Sequence, residues 1–181
     1  MKASVFIAAS VDGFIARLDN SLDWLENPRT RPGQDYGYQQ FIQSIDAFLM
    51  GRGTFDVIRK LKDWSAPKLP TFILTHRPLR LPAGKFSHVE RIQGAPAEVY
   101  RELESRGFQH IYVDGGQVIS AFLSASLIDE MIFTRIPILL GRGIPLFSGL
   151  DYEIKLELLS AIDFGDGFTQ NKFRVLKENQ P

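Results

Sequence analysis

Three glycine-rich segments are the part of this chain best suited to bind a charged ligand. Each directly follows a short apolar run, and they read Gly51-Arg52-Gly53-Thr54, Gly115-Gly116-Gln117 and Gly141-Arg142-Gly143. Glycine at a strand-to-helix turn lets backbone N–H groups approach an anion, and the helix dipole favours negative charge there. Two such turns on one sheet edge predict a pyrophosphate site between them. Each segment alone is equally typical of a helix cap or tight turn.

Arg52 lies inside the first glycine segment and could add a charge-assisted contact to a further phosphate. An arginine near the adenine ribose is a usual way for a dinucleotide site to accept NADP rather than NAD. The segment does not match the Gly-x-Gly-x-x-Gly fingerprint, because Asp56 stands where the third glycine would be. Dinucleotide binding is therefore predicted only from the joint placement of the glycine turns.

Asp35 is the acidic residue that could take part in proton transfer. It begins a predicted helix, and a carboxyl group in an apolar cleft with Phe6, Trp24 and Phe55 would have a raised pKa. Such a group could protonate a ring nitrogen or orient a polar substrate. The alternative is a carboxylate at a helix N-terminus that the helix dipole stabilises.

Other kinds of catalytic or binding site have little support. The histidines, His76, His88 and His110, lack metal-ligand spacing, the chain has no cysteine, and no HExxH, GxSxG or Walker A sequence occurs. Lys plus Arg equals Asp plus Glu at 21 each, which argues against a broad nucleic-acid surface. We therefore expect neither a metal site nor a nucleic-acid partner.

The bulk properties predict a single cytoplasmic domain over residues 1–181. That length fits about one domain at roughly 150 residues per domain. A hydrophobic content of 44% and a charged content of 23% are ordinary for a soluble globular protein. The first apolar run, Ala3–Ala9, is too short for a membrane span and leads to no cleavage pattern, so we interpret it as a strand.

Apolar runs alternate with helical patterns, which predicts an α/β fold with a mostly parallel central sheet. The predicted strands are Ala3–Ala9, Ala47–Met50, Thr71–Leu74, Ile111–Val113 and Met131–Leu140. The predicted helices are Tyr36–Ser44, Thr54–Leu61, Pro96–Arg106 and Val118–Ala125. Alternation over Tyr152–Leu158 and Phe168–Leu176, around a turn at Asp163–Gly167, predicts an antiparallel C-terminal hairpin. Ligands of such folds bind at the carboxyl ends of the strands, where the glycine segments stand.

Several segments, in order along the chain, resemble the signatures of the dihydrofolate reductase-like family. They are Ser10–Ile15, Phe48–Phe55, Phe72–Arg77 and Tyr112–Gly116, followed by Leu127–Glu130 with Pro137–Phe147. The last of these resembles the C-terminal reductase domain of bacterial riboflavin-pathway deaminase/reductases. The resemblance runs roughly from Lys2 to Leu176 and implies a three-layer α/β/α domain that transfers a hydride from NADPH.

The resemblance also implies roles for single residues. Ala8 and Ile15 would flank the nicotinamide, Asp35 would be the proton donor, and Thr134 would lie near that acid. The rest of NADPH would contact Gly51, Arg52, Gly53 and Thr54 at the pyrophosphate and 2′-phosphate, Leu74, Thr75 and His76 at the adenosine end, and Gly115, Gly116, Gln117, Val118 and Ile119 at the second phosphate turn.

Three functions stay open at this point. The leading interpretation is reduction of a ribosylaminopyrimidine or a similar heterocycle, as by a 5-amino-6-(5-phosphoribosylamino)uracil reductase in riboflavin biosynthesis. The second is a folate or pteridine reductase, although Lys68-Leu69-Pro70 stands where the folate enzymes carry an arginine. The third is a non-catalytic NADP-binding dimeric protein. Asp114 also stands where riboflavin-pathway domains usually have Glu.

A homodimer is also predicted from the sequence. Its face would use the apolar run Met131–Leu140 and the aromatic residues Phe147, Phe164, Phe168 and Phe173. The alternative for these side chains is simple packing in the core.

Overall fold

The computed structural model describes residues 1–25, 34–60, 69–81, 84 and 86–177. The strands are β1 (Lys2–Ser10), β2 (Phe14–Ala16), β3 (Ala47–Gly51), β4 (Thr71–Leu74), β5 (Val89–Ile92), β6 (His110–Asp114), β7 (Glu130–Ile136), β8 (Ile144–Pro145), β9 (Leu156–Gly165) and β10 (Phe168–Val175). The helices are α1 (Tyr38–Gln43), α2 (Arg52–Ile58), α3 (Pro96–Ser105) and α4 (Gly116–Ser124), with a 3-10 turn at Asp23–Leu25.

The central sheet has eight strands in the order β5-β4-β3-β6-β1-β7-β10-β9. The six strands from β5 to β7 are parallel, and the β9–β10 hairpin adds two antiparallel strands at one edge. Parallel strands need crossover connections, which α2, α3 and α4 supply. The predicted α/β class, with its mostly parallel sheet and antiparallel C-terminal hairpin, is confirmed.

Helices cover both faces of the sheet, so the domain has three layers. On one face α3 and α4 contribute Val99, Leu103 and Phe122 to an apolar core with strands β1, β3 and β6. On the other face Phe41 of α1 and Phe55 of α2 pack on the alternate side chains of the same strands. Alternation along each strand therefore sends neighbouring apolar residues into different cores.

The structure corrects several predicted boundaries. Strand β7 ends at Ile136 rather than at residue 140, because Pro137 has no N–H to donate to a sheet. Helix α1 begins at Tyr38 rather than at Tyr36, since Tyr36 and Gly37 have positive φ values of 54° and 83°. Helix α2 spans Arg52–Ile58, and the predicted end of that helix at residue 61 lies outside the described residues, as does residue 68.

The first hairpin strand lies later in the chain than predicted, at Leu156–Gly165 instead of residues 152–158. The turn is correspondingly short and is centred on Asp166 and Gly167, both with positive φ. Strands β2, β5 and β8 were not predicted. Strands β2 and β8 are only three and two residues long, and β5 has Glu90 and Arg91 between its two apolar residues, so no apolar run identified them.

The residues of the predicted dimer face differ in their exposure. Met131 and Phe168 are almost fully buried, and Phe164 packs in the same apolar cluster as Phe168. Of the predicted aromatic residues, Phe147 is exposed. Large exposed apolar side chains lie on edge strand β9 at Leu156, Leu158 and Ile162. The homodimer itself stays a prediction.

Within the described ranges, no helix has the length and apolar character that crossing a bilayer requires. In the same ranges no group of His, Asp and Glu side chains is arranged to hold a metal ion.

Candidate active site

The glycine turns after β3 and β6 meet at the carboxyl edge of the sheet. These two strands are neighbours, with Met50 paired to Asp114. Gly115 has a φ of +92°, and a Cβ at this position would collide with Oγ1 of Thr54 and lie 3.8 Å from the backbone nitrogen of Gly51. Only glycine fits there, and the two turns are close enough for their amides to contact one ligand. The two glycine turns therefore lie side by side, which is the arrangement on which the prediction of dinucleotide binding depended.

The third glycine segment contributes a wall beside the second turn. A Cβ on Gly116, the first residue of α4, would lie 2.6 Å from the carbonyl oxygen of Pro145 and 3.2 Å from Cδ1 of Ile15. Strands β2 and β8 pair with each other and bring these two residues to the N-terminus of α4. Ile15 therefore lies beside the start of α4, and its predicted contact with the nicotinamide stays a prediction.

Asp12 links the third glycine segment to the end of β1 through hydrogen bonds. Its carboxylate accepts hydrogen bonds from Ser10 Oγ at 2.6 Å, from the backbone N–H of Gly141 at 2.7 Å and from that of Leu140 at 3.1 Å. The hydroxyl of Ser10 is the main cause of the lowered pKa of Asp12. The Asp-Gly turn after β1 is thus a rigid support for one side of the groove.

Arg52 is engaged by protein groups. Its Nε donates to Oδ2 of Asp56 at 2.8 Å, and its Nη1 is 3.3 Å from the carbonyl oxygen of Pro78. Pro78 follows β4, and His76 and Arg77 of the same loop are exposed. The guanidinium therefore lies beside the loop after β4, to which the resemblance assigns the adenosine end. Asp56, which replaces the third glycine of the dinucleotide fingerprint, orients it.

The helix residues after the second turn differ in what they offer a ligand. Gln117 is exposed at the start of α4, whereas the side chains of Val118 and Ile119 are buried in the core. The N–H of Ile119 already bonds the carbonyl of Gly115 at 2.9 Å. Val118 contributes packing, since its Cγ2 lies 3.2 Å from where a Cβ on Gly51 would be. Leu74 ends β4 beside Gly51, and Thr75 follows it directly.

Asp35 does not lie in an apolar cleft. Its exposed carboxylate accepts the backbone N–H groups of Gly37 at 3.0 Å and Gln39 at 2.9 Å. These hydrogen bonds, with Gln39 the larger cause, lower the pKa of Asp35. The expected raised pKa is wrong, and the alternative of a carboxylate at a helix N-terminus is what the structure shows. Phe55 and Trp24, expected beside it, belong to two different clusters.

Asp114 has the environment that was expected for Asp35. It ends β6 directly before the paired glycines, and burial raises its pKa to about 6 although it accepts the Gly115 N–H at 2.8 Å. The residue as a whole is half-buried, and desolvation of its carboxyl group is the larger cause of this shift. Burial, and secondarily the charge of Asp114, raises the pKa of Tyr38 to about 12. Tyr38 contacts the Phe6 ring edge-to-face at 5.5 Å between centroids.

Thr134 lies on the same sheet face as Asp114 and is 3% exposed. Its Oγ1 is 2.8 Å from Nε2 of Gln170, which lies opposite it on β10 and is also 2.9 Å from the carbonyl oxygen of Tyr36. Ala8 is the register partner of Thr134 on β1. Thr134 is thus joined through Gln170 to the residue after Asp35, so it lies near that acid without a described bond to it.

Sequence reasoning assigned no role to Asp114, Tyr38, Gln170 or the Trp24 indole. Asp114 carried a usable signal, because it stands between a buried strand and a glycine turn. Gln170 carried none, since a glutamine in an alternating strand indicates a solvent-facing position. Trp24 is 4% exposed, and its Nε1 has no hydrogen-bond partner among the described residues.

The fold and this groove define a domain of the dihydrofolate reductase type. The dihydrofolate reductase of Enterococcus faecalis, solved in complex with NADP(H) and RAB-propyl, superposes with a TM-score of 0.67 at 15% identity, covering 96% of each chain. The chain belongs to the RibD C-terminal domain family, which it matches over residues 2–169. That family comprises reductase domains of riboflavin biosynthesis.

Two further solved structures are similar to this chain. A Shewanella sp. PV-4 protein assigned provisionally to riboflavin biosynthesis has a TM-score of 0.91 and 34% identity, covering 98% of this chain and 100% of its own. A Thermotoga maritima diaminohydroxyphosphoribosylaminopyrimidine deaminase/5-amino-6-(5-phosphoribosylamino)uracil reductase has a TM-score of 0.70 and 17% identity, covering 97% of this chain and 56% of its own. The second likeness concerns the fold alone.

Proposed function

We propose that this protein is an NADPH-dependent reductase that acts on a ribosylaminopyrimidine of the riboflavin pathway. The observation that carries the proposal is the contact between the Gly115 turn and the Thr54 turn at the edge that also holds Asp114. A diphosphate-binding groove and an enclosed acid on one edge are what a dinucleotide-dependent reduction requires.

The residues present fit a bound dinucleotide phosphate. Glycine at positions 115 and 116 lets the start of α4 lie close against Thr54 and Pro145, and the dipole of that helix favours an anion at its N-terminus. Arg52 would approach the 2′-phosphate, and the exposed His76 and Arg77 would add positive charge or donors there. These contacts support NADPH over NADH.

When bound, NADPH would supply the hydride. Conversion of a ribosylamino group to a ribitylamino chain also needs a proton on the departing ring oxygen. We assign that proton to Asp114 rather than to Asp35, because the raised pKa of Asp114 keeps part of its population protonated near neutral pH. Asp35 would instead hold the start of α1, and with it Tyr38, in place.

The cofactor test is a titration of the protein with NADPH and with NADH, followed by intrinsic fluorescence. We expect NADPH to bind at least about tenfold more tightly than NADH. A ratio of this size corresponds to the free energy of one charge-assisted contact. Arg52→Ala should remove that preference. Arg59→Ala is the matched control. Nε of Arg59 also pairs with Oδ1 of Asp56 at 3.0 Å, but Arg59 lies on the C-terminal side of Asp56, away from the glycine turn. Equal affinities in the wild type would contradict the cofactor assignment.

The substrate test is oxidation of NADPH in the presence of 5-amino-6-(5-phosphoribosylamino)uracil, with dihydrofolate as the comparison. We expect turnover of the uracil compound. Turnover of dihydrofolate alone would support the folate alternative. Cofactor binding without oxidation by either compound would support a non-catalytic binding protein.

A further inference from the structure

The hydrogen bonds of Gln170 determine which way the hydroxyl group of Thr134 points. The carbonyl oxygen of Tyr36 can only accept, so the Gln170 atom 2.9 Å from it must be the amide nitrogen. The same nitrogen is 2.8 Å from Oγ1 of Thr134. Since an amide nitrogen cannot accept, Thr134 is the acceptor of that bond and its own proton points elsewhere.

Among the described residues the Thr134 hydroxyl proton has no acceptor, although the side chain is 3% exposed. A buried donor without an acceptor is costly, and a catalytic role or a bound partner is one explanation for such a group in a native protein. Thr134 lies beside Ala8, at the end of the face that carries Asp114. Nε1 of Trp24 is a second buried N–H without a described acceptor, in the cluster that also holds Ala8.

We infer that Thr134, oriented by Gln170, selects a heterocycle with a carbonyl oxygen over one with an amino group at the same ring carbon. This inference rests on the proposed function and makes its substrate more specific: a uracil ring, not a 2-aminopyrimidinone such as a pterin. Thr134 can still accept from an amino group through its second lone pair. The Thr134 proton would then have no acceptor, whereas a carbonyl oxygen of the ligand would accept it.

The test uses two small bases that differ in one ring substituent, 5,6-diaminouracil and 2,5,6-triaminopyrimidin-4-one. Their binding is measured by titration calorimetry, with and without NADP⁺, so that no turnover is needed. We expect the uracil to bind at least about tenfold more tightly, the effect of one satisfied hydrogen bond. Equal affinities, tighter binding of the amino compound, or no binding of either base would each overturn the inference.

Variants separate the orientation of Thr134 from general damage to the fold. Thr134→Val keeps the shape and should reduce the affinity ratio to about one, whereas Thr134→Ser should retain it. Gln170→Glu should reverse the ratio. The ionised carboxylate of this variant can only accept, so it takes the Thr134 proton and leaves only lone pairs for the ligand. An unchanged ratio in Gln170→Glu would overturn the role of Gln170.

Thr169→Val is the matched control, because Thr169 neighbours Gln170 on β10 but faces the other side of the sheet. It should leave the ratio unchanged, and a loss of stability alone would lower both affinities together. Failure of the proposed function gives a different result, namely no NADPH binding and no oxidation. The affinity ratio of the two bases remains measurable in that case.

Discussion

The polar side chains at the two ends of the central strands differ in how far the protein itself satisfies their hydrogen bonds. At the amino end, His110 lies between Ser4 Oγ and the carbonyl oxygen of Ser44, each 2.8 Å from one ring nitrogen. Asp46 accepts the N–H groups of Gln109 and His110. At the carboxyl end, the Thr134 proton has no acceptor among the described residues, and burial raises the pKa of Asp114.

This difference indicates which end of the sheet is built for a ligand. Polar groups that the chain itself satisfies contribute to stability, whereas enclosed groups without partners are a cost that only function explains. The same contrast separates two aspartates on one side of the molecule. Asp35 is hydrogen-bonded and exposed, while Asp114 is enclosed with one backbone donor.

The largest expected effect comes from Asp114→Asn. If Asp114 supplies the proton, the substitution should lower kcat on the phosphoribosylaminouracil by about 100-fold to 10,000-fold, the usual contribution of general acid catalysis. In the wild type the rate should fall as the pH rises above about 6, because the protonated form is the donor. The measurement is the pH–rate profile of both proteins.

Asp35→Asn is the comparison for that experiment. Asparagine can accept only one of the two N–H groups that Asp35 holds, so the variant should lose about 1 kcal/mol of stability but keep the pH dependence near pH 6. A collapse of kcat in Asp35→Asn, with Asp114→Asn unaffected, would reverse the assignment of the two aspartates.

The next largest effect is expected from Gly115→Ala. The added Cβ collides with Thr54, and the residue has a φ of +92°. We expect NADPH affinity to fall by about 100-fold and the free energy of unfolding to fall by roughly 1–3 kcal/mol. Urea unfolding and NADPH titration measure the two losses.

Gly107→Ala separates strain from the binding effect. Gly107 has the same φ of +92°, but a Cβ there has no atom within 4 Å, and it lies after α3 at the other end of the sheet. It should lose stability without losing NADPH affinity. A similar loss of affinity in both variants would mean that the Gly115 turn is not part of the cofactor groove.

Local sequence patterns predicted most of the fold and the glycine turns, because those features depend on residues close together in the chain. Apolar runs of three or more residues identified five strands, and a glycine at the end of a run identified the turns. Strands β2 and β8 were missed because their pairing is decided by a contact between Phe14 and Pro145, far apart in sequence.

The environment of each polar side chain was not predictable from the sequence. Asp35 and Asp114 both stand next to predicted helices, and only the tertiary structure encloses one and exposes the other. Gln170 is buried by the loop at Tyr36, which is 134 residues away. Burial that depends on such long-range contacts leaves no periodic signal in the sequence. The glycine turns of the candidate site were therefore predicted, whereas a role for Asp114 was not.

The smallest expected effect tests the amino end of the sheet. Burial lowers the pKa of His110, so the folded protein favours the neutral ring. Its contribution to stability is therefore complete above the ordinary histidine pKa and is lost as the pH falls through and below that range. Protonation makes Nε2 a donor, so the Ser4 hydroxyl must turn its own proton away and accept instead, a change that costs about 1 kcal/mol. Urea unfolding at about pH 7.5 and about pH 5.5 measures this loss, and in His110→Gln the loss should be smaller. A wild type equally stable at both values would mean that the amino end tolerates an unsatisfied group as the carboxyl end does.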